Sequence, residues 1–439
     1  MIRFPLSGVK VPHRKNTADM PAERMPAPQT VVIPMSQHIG APCVPVVKAG
    51  DSVKIGQVIA EPGGYVGTYA HSGISGIVKK IEPVRLSNGS YSPAVFIESD
   101  GESSLCDGIA PVAVESYEDF IDAVRRSGAV GLGGAGFPTA VKLDVKDTSR
   151  INTIIINGAE CEPYITSDTR TMLDDAELLC YGLELLHRFL NNDNIVFGIE
   201  NNKKKCIRLI KEKTANMPFV EIKQLPSIYP QGGEKVLIHN ITGKIVPEGK
   251  LPIDVGVIVL NCTTLAAIAR YIKTGMPLVE KCITVDGSAI AEPKNVIAPI
   301  GTAVADVIKF CGGFKEEVGK VLYGGPMMGI AVDALSEPIL KNNNAIIAFN
   351  KADSAAQKTT PCIRCGKCIK ACPIRLNPVA ITKAYKAGDV DALRKVKANL
   401  CMECGCCSFI CPTKQPLVQR NKLAKAILRE AQAKEATHE

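Results

Sequence analysis

The densest chemistry in the chain sits near its end. CIRCGKCIKACP (362–373) and CMECGCCSFICP (401–412) repeat one pattern, C-x-x-C-x-x-C-x-x-x-C-P. Three thiolates spaced in this way wrap one cubane, and backbone N–H groups turn toward the sulfurs. The fourth cysteine reaches the other cluster of a pair. The spacing predicts one 4Fe–4S cluster on Cys362, Cys365, Cys368 and Cys411, and a second on Cys401, Cys404, Cys407 and Cys372. Zinc ribbons use paired C-x-x-C hooks rather than a triplet with a fourth cysteine and proline behind it. Gly366 and Gly405 let the loop backbones approach closely. Cys406 is surplus to the pattern; it reads as a non-ligand, or as a second register for its loop. The whole is a bacterial-ferredoxin-like two-cluster module.

Such clusters move one electron at a time, so the remainder of the chain has to supply a source or sink. AVGLGGAGFPTAVKL (129–143) places Gly131, Gly133, Gly134 and Gly136 within six residues, after a helical pattern, SYEDFIDAVRRSG (116–128). A glycine loop lets backbone N–H groups approach a phosphate or a flavin ring. A dinucleotide fingerprint would follow a strand instead, so a Rossmann reading fails on context. INTIIINGAECEPY (151–164) reads as a buried strand ending in a turn that carries Asn157, Glu160 and Glu162. YPQGGEKVLI (229–238) and VGVIVLNCTTLA (255–266) follow.

In this order, these four stretches resemble the FMN- and NADH-binding flavoprotein subunit of respiratory complex I. The resemblance implies that Gly131, Gly133, Gly134, Gly136 and Lys142 line FMN and its phosphate. It implies that Asn157, Glu160, Tyr229, Gly232, Glu234 and Asn261 complete the flavin site. Phe137 and Glu162 would face NADH, by stacking and by bonding ribose hydroxyls. Leu132, Ala159, Cys161 and Lys235 stand where that family has Arg, Asp, Gly and Thr. A nicotinamide moves two electrons as hydride, and a flavin converts them to single steps. No side-chain acid or base is needed for the hydride itself, so Glu160 or Glu234 is expected to orient the flavin or tune its potential. Nothing basic beside Glu162 invites a 2′-phosphate.

The flanks supply the rest of the architecture. The segment at 31–84 is strand-rich and resembles a lipoyl-type barrel-sandwich hybrid, with paired V-x-x-G-D-x-V and S-G-x-V hairpins. Its tip reads AHSGISG, without the carrier lysine, so a structural module is expected and neither lipoylation nor biotinylation. His38 and His71 are expected to be hydrogen-bonded structural groups. KCITVDGSAIAEPKNVIAPIGTAVADVIKFCGG (281–313) resembles the β-grasp (SLBB) domain of the complex I flavoprotein, with 320–332 as its return strand and Met327 and Met328 as packing residues. Between the cysteine motifs lie two short helical patterns split by Gly388.

The fold class expected is therefore multidomain α/β and α+β. An N-terminal extended segment (1–30) precedes the barrel-sandwich hybrid (31–100). The FMN/NADH domain (101–275), the β-grasp domain (276–350), the two-cluster module (351–415) and a basic surface helix with a frayed end (416–439) follow. This order resembles the RnfC proteins of Rnf complexes over essentially the whole chain. The resemblance implies a peripheral subunit on the cytoplasmic side of the cell membrane. It would exchange electrons between NAD(H) and two 4Fe–4S clusters through FMN. Membrane-bound and ferredoxin-like Rnf subunits would be its partners, with ferredoxin reached indirectly. The alternatives are a soluble relative feeding a reductase such as proline reductase, and a flavin-free two-cluster adaptor.

Composition agrees with these expectations. The 439 residues allow two to four domains. Net charge is +8, aromatics are few and tryptophan is absent, which argues against a nucleic-acid partner. The eight cysteines outside the motifs are scattered singly, as buried apolar residues in a reducing compartment are. The longest apolar run, 255–269, is too short for a spanning helix. The first fifteen residues lack a signal-peptide core.

Overall fold

The computed structural model describes residues 7–436. Residues 1–6 of the expected N-terminal segment and 437–439 of the expected frayed end lie outside the described residues.

The barrel-sandwich hybrid pairs two small sheets. Thr30–Pro34, Tyr91–Ser99, Gly76–Arg85 and Ser52–Val53 form one antiparallel sheet, and Val44–Pro45, Val58–Glu61 and Ala70–His71 form the other. Inward-facing Val31, Ile33, Ile59, Val78 and Ile97 fill the space between them. His38 is hydrogen-bonded as expected, to the carbonyl of Ile39 and to Cys43 Sγ. His71 is not: its Nδ1 is buried without a partner among the described residues. Burial beside Lys341 pushes its pKa down to about 3, so it stays neutral.

The central domain is a four-stranded parallel sheet in the order Val220–Leu225, Ile195–Glu200, Thr153–Gly158, Val257–Asn261. Strands buried on both faces read as continuous apolar runs, which TIIING and IVFGIE do. Helices Tyr117–Arg126, Ala176–Leu190 and Cys262–Thr274 cover one face through Phe120, Leu183, Leu186 and Ile268. Helix Glu234–Thr242 covers the other through Leu237, Ile238 and Ile241. Ser116 caps Tyr117–Arg126 in a reciprocal box with Asp119. The 255–269 run is a strand that turns at Asn261 into a helix. Among the described residues, no helix is long and apolar enough to cross a membrane.

In the β-grasp domain, Glu280–Asp286 pairs antiparallel with Lys294–Pro299 and parallel with Ala345–Asn350. Val318–Tyr323 pairs antiparallel with Ala345–Asn350. The N-terminal segment is a strap rather than a free extension. Val9 bridges to Tyr229, Thr17 bonds Thr166, and Ala22–Arg24 adds a parallel strand beside Lys294–Pro299.

The cysteine module repeats itself conformationally as well as in sequence. Arg364 and Glu403 both adopt positive φ (54° and 60°), and so do Gly366 and Gly405 (72° and 78°) and Arg375 and Lys414 (57° and 54°). A Cβ on Gly405 would come within 2.8 Å of the Met327 carbonyl oxygen. Pro378–Ala387 and Val390–Lys395 are helices separated at Gly388. Leu417–Ala436 is more than a surface helix. Leu417, Val418, Ala424 and Leu428 are buried in the module, and Lys425 Nζ donates to the Cys401 carbonyl at 2.8 Å.

Candidate functional site

The site begins at the carboxyl ends of the parallel strands, where open α/β sheets take their ligands. Asn157 and Asn261 end adjacent strands in direct register. Asn157 Nδ2 donates to the Gly232 carbonyl (3.0 Å) and its Oδ1 accepts from Ala159 N (3.0 Å). Asn261 Oδ1 caps its helix through Thr264 N (3.1 Å), while its Nδ2 donates to Asp168 Oδ2 (2.9 Å).

Against these ends lies the glycine loop. It closes on itself through Gly131 N to the Phe137 carbonyl and Gly136 N to the Gly131 carbonyl. Gly134 has φ of 131°, which strains any residue with a Cβ, and a Cβ on Gly133 would press the Asn261 amide at 3.1 Å. Among the described residues, no protein acceptor takes the N–H of Gly133, Gly134 or Ala135. Lysines from outside the domain fix the loop. Lys281 Nζ donates to the Leu132 carbonyl (2.8 Å), and Lys341 Nζ to the Gly128 carbonyl (2.8 Å). Asn342 Nδ2 donates to the Gly134 carbonyl (2.9 Å).

The cleft so formed holds about 660 Å³, within the range for a cofactor site. Of the sequence-predicted residues it gathers Gly133, Gly134, Asn157, Glu160, Glu162, Tyr229, Gly232, Glu234 and Asn261. Gly131, Gly136, Phe137 and Lys142 lie outside its lining. Lys142 Nζ is tied to Glu234 Oε1 and to the Val259 carbonyl, each at 3.0 Å. Glu160 is buried under the cleft, where it accepts from Asp168 N and Thr169 Oγ1 (both 2.7 Å) beside Lys203 (3.6 Å). Glu162 differs from the ribose-bonding role expected of it. Its oxygens accept from Met327 N (3.1 Å) and Met328 N (2.9 Å), so it fastens the β-grasp turn over the cleft. Burial pushes its pKa up to about 7. Met327 and Met328 thus contribute main-chain donors as well as packing.

Several site residues escaped the sequence reading. Asp168 sits between Asn261 and Thr263 Oγ1 (2.7 Å). Burial raises its pKa and lowers that of Lys281. Lys15 of the strap donates to the carbonyls of Glu160, Glu162 and Ile165 at 2.8, 2.8 and 2.5 Å. Only Lys281 left a signal, since it shares the inward register of its strand with Ile283 and Val285.

The cleft reaches Met402 in the second cysteine loop. There Tyr229 Oη donates to the Cys404 carbonyl at 2.8 Å. The cysteines fall into two groups around two separate cavities. Cys362, Cys365, Cys368 and Cys411 line one; Cys372, Cys401, Cys404, Cys406 and Cys407 line the other. That division fits two cubanes with exchanged fourth ligands. Cys406 is fully buried, with its Sγ 3.8 Å from the Tyr229 carbonyl oxygen.

A glycine loop with open amides, set over paired strand ends and joined to two cysteine loops, defines a flavin and iron–sulfur electron-transfer protein. Family models match in the same order: the RnfC barrel sandwich hybrid domain (4–102), the Nuo51 FMN-binding domain (124–270), the SLBB domain (282–331) and the 4Fe-4S dicluster domain (355–412). The chain is 43% identical over 83% of its length to the RnfC protein of the proton-translocating ferredoxin:NAD(+) oxidoreductase complex of Clostridium ljungdahlii, covering 80% of that protein. It is 40% identical to the Na(+)-translocating counterpart of Acetobacterium woodii, over 86% of each chain. A third relative, the corresponding protein of the ion-translocating oxidoreductase complex of Rhodobacter capsulatus, is 38% identical over 96% of this chain and 82% of its own. The chain belongs to the RnfC family, named for the Rnf complexes. Its fold is also similar to a chain of an NAD+-reducing [NiFe]-hydrogenase crystal structure, at TM-score 0.52 and 19% identity. The match covers 71% of this chain and 63%, under two thirds, of the hydrogenase chain.

Proposed function

We propose that the chain is the subunit of an ion-translocating ferredoxin:NAD(+) oxidoreductase complex that exchanges electrons between NAD(H) and iron–sulfur clusters. FMN bound in the cleft would take up two electrons as hydride and release them singly. The open amides of Gly133, Gly134 and Ala135 would hold its anionic or carbonyl edges, with Asn157 and Asn261 setting the floor and Lys142 supporting through Glu234. One cluster is assigned to Cys401, Cys404, Cys407 and Cys372, beside the cleft. The other is assigned to Cys362, Cys365, Cys368 and Cys411, on the outer side. The chain would sit peripherally on the cytoplasmic face of the membrane, against membrane-bound and ferredoxin-like subunits.

The observation that carries this reading is the continuity of the cleft from the glycine loop to Met402 and the Tyr229–Cys404 contact. The test is an anaerobic absorbance titration with NADH of the chain reconstituted with iron, sulfide and FMN. Bleaching of the flavin band followed by the cluster band is expected. Clusters that respond to dithionite but not to NADH, in a chain that retains no FMN, would overturn the reading.

A further inference from the structure

The two cysteine loops share one backbone conformation but differ in their surroundings and charge. The second packs inward against the flavin domain through Met402, Cys404 and Cys406. The first faces out: Cys362, Ile363, Arg364, Cys365 and Lys367 are all exposed. At matching positions Arg364 replaces Glu403, and Lys367 replaces the buried Cys406. Between Asp353 and Asp389 the chain has seven basic residues and no acidic one, close to its whole net charge of +8. Among the described residues, the ion pairs found include none of these seven. Helix Pro378–Ala387 continues the face. Val379 and Thr382 line the first cavity, and Lys383 and Lys386 lie on the same stripe at helical spacing. Exposed Ile363 and Val379 give the basic ring an apolar centre.

We propose that this face is the docking surface for an acidic electron-carrier protein or domain. The proposal rests on the electron-transfer reading above and names the kind of partner that meets its outer end. An unpaired basic ring around a small apolar centre steers an acidic partner and fixes its orientation. An anionic lipid surface would also be attracted by the charge. It gives no reason, however, for the ring to encircle the exposed cysteines, nor for the inward loop of the same shape to lack the charge. Cysteine exposure and charge change together between the two loops, and that favours a redox protein.

The test measures binding of a strongly acidic ferredoxin to the reconstituted full chain by calorimetry, at low and high sodium chloride. The double variant K383E/K386E lies outside the cysteine loops, and K383Q/K386Q serves as a milder second variant. Wild-type affinity is expected to fall as salt rises. At low salt the charge-reversed variant should bind about tenfold more weakly and the neutral variant in between. NADH bleaching of the flavin, followed on the same samples, should be the same in all three. Equal affinities, salt-independent binding, or binding only to phosphatidylserine-containing vesicles would overturn the proposal. If the flavin fails to respond to NADH while charge-dependent binding persists, the functional reading falls and the docking surface stands.

Discussion

Tyr229 and Cys404 lie 175 residues apart, yet the tyrosine hydroxyl donates to the cysteine carbonyl at 2.8 Å in a buried setting. The same hydroxyl is 3.4 Å from Glu162 Oε1. One side chain therefore joins the flavin cleft, the β-grasp turn and the inner cysteine loop. Tyr229→Phe leaves the ring packing in place but strands a buried carbonyl, at a cost of about 1–3 kcal/mol. The expected result is a lower Tm and a changed paramagnetic-resonance signal from one of the two clusters. Two unchanged cluster signals would refute the link.

Lys142→Ala should release FMN while leaving the fold nearly intact. Its partner Glu234 is partly exposed, so the pair contributes at most about 1 kcal/mol to stability. Flavin content after gel filtration and Tm, measured on one preparation, separate the two effects. Full flavin occupancy would contradict the assignment.

Glu162 predicts a pH dependence. Desolvation raises its folded pKa from 4.5 to about 7, so the folded chain binds the extra proton. The penalty is absent below the unfolded value, grows between about pH 4.5 and 7, and is complete above. Its size is of the order of 3 kcal/mol. Relative to Glu162→Gln, the wild-type Tm should fall as pH rises through that window. Parallel Tm profiles would rule this out.

Lys15→Met tests the strap. Three carbonyls beneath the cleft lose their shared donor, which should cost several kcal/mol. Weaker flavin retention should accompany the drop in Tm, because the same lysine holds the 160–165 turn. A variant with normal flavin affinity would show that the strap acts on stability alone.

Cys406→Ala should keep both clusters, at about eight irons per chain, whereas Cys407→Ala should lose one. Iron analysis and the visible spectrum decide between them. Loss of half the iron in Cys406→Ala would make it a ligand.

Short-range pattern carried much of this protein into view. The cysteine spacings set the loop geometry because neighbouring thiolates are covalently tethered. The repeated positive φ values at Arg364/Glu403 and Gly366/Gly405 are the backbone expression of that repeat. The apolar runs at 153–158 and 195–200 announced strands buried on both faces, and the glycine cluster at 131–136 announced a backbone that a ligand can approach. Tertiary structure alone decided what holds that loop. Lys281 and Lys341 reach it from 149 and 213 residues away, and Lys15 reaches the turn at 160–165 from the N-terminal strap. No local period encodes such partners, because a buried cation is placed by whichever carbonyls the packed domains leave without donors. The same reason turned Glu162 from an expected ribose contact into the clasp of the β-grasp turn. Its two main-chain donors, at 327 and 328, come into reach only once the domains close.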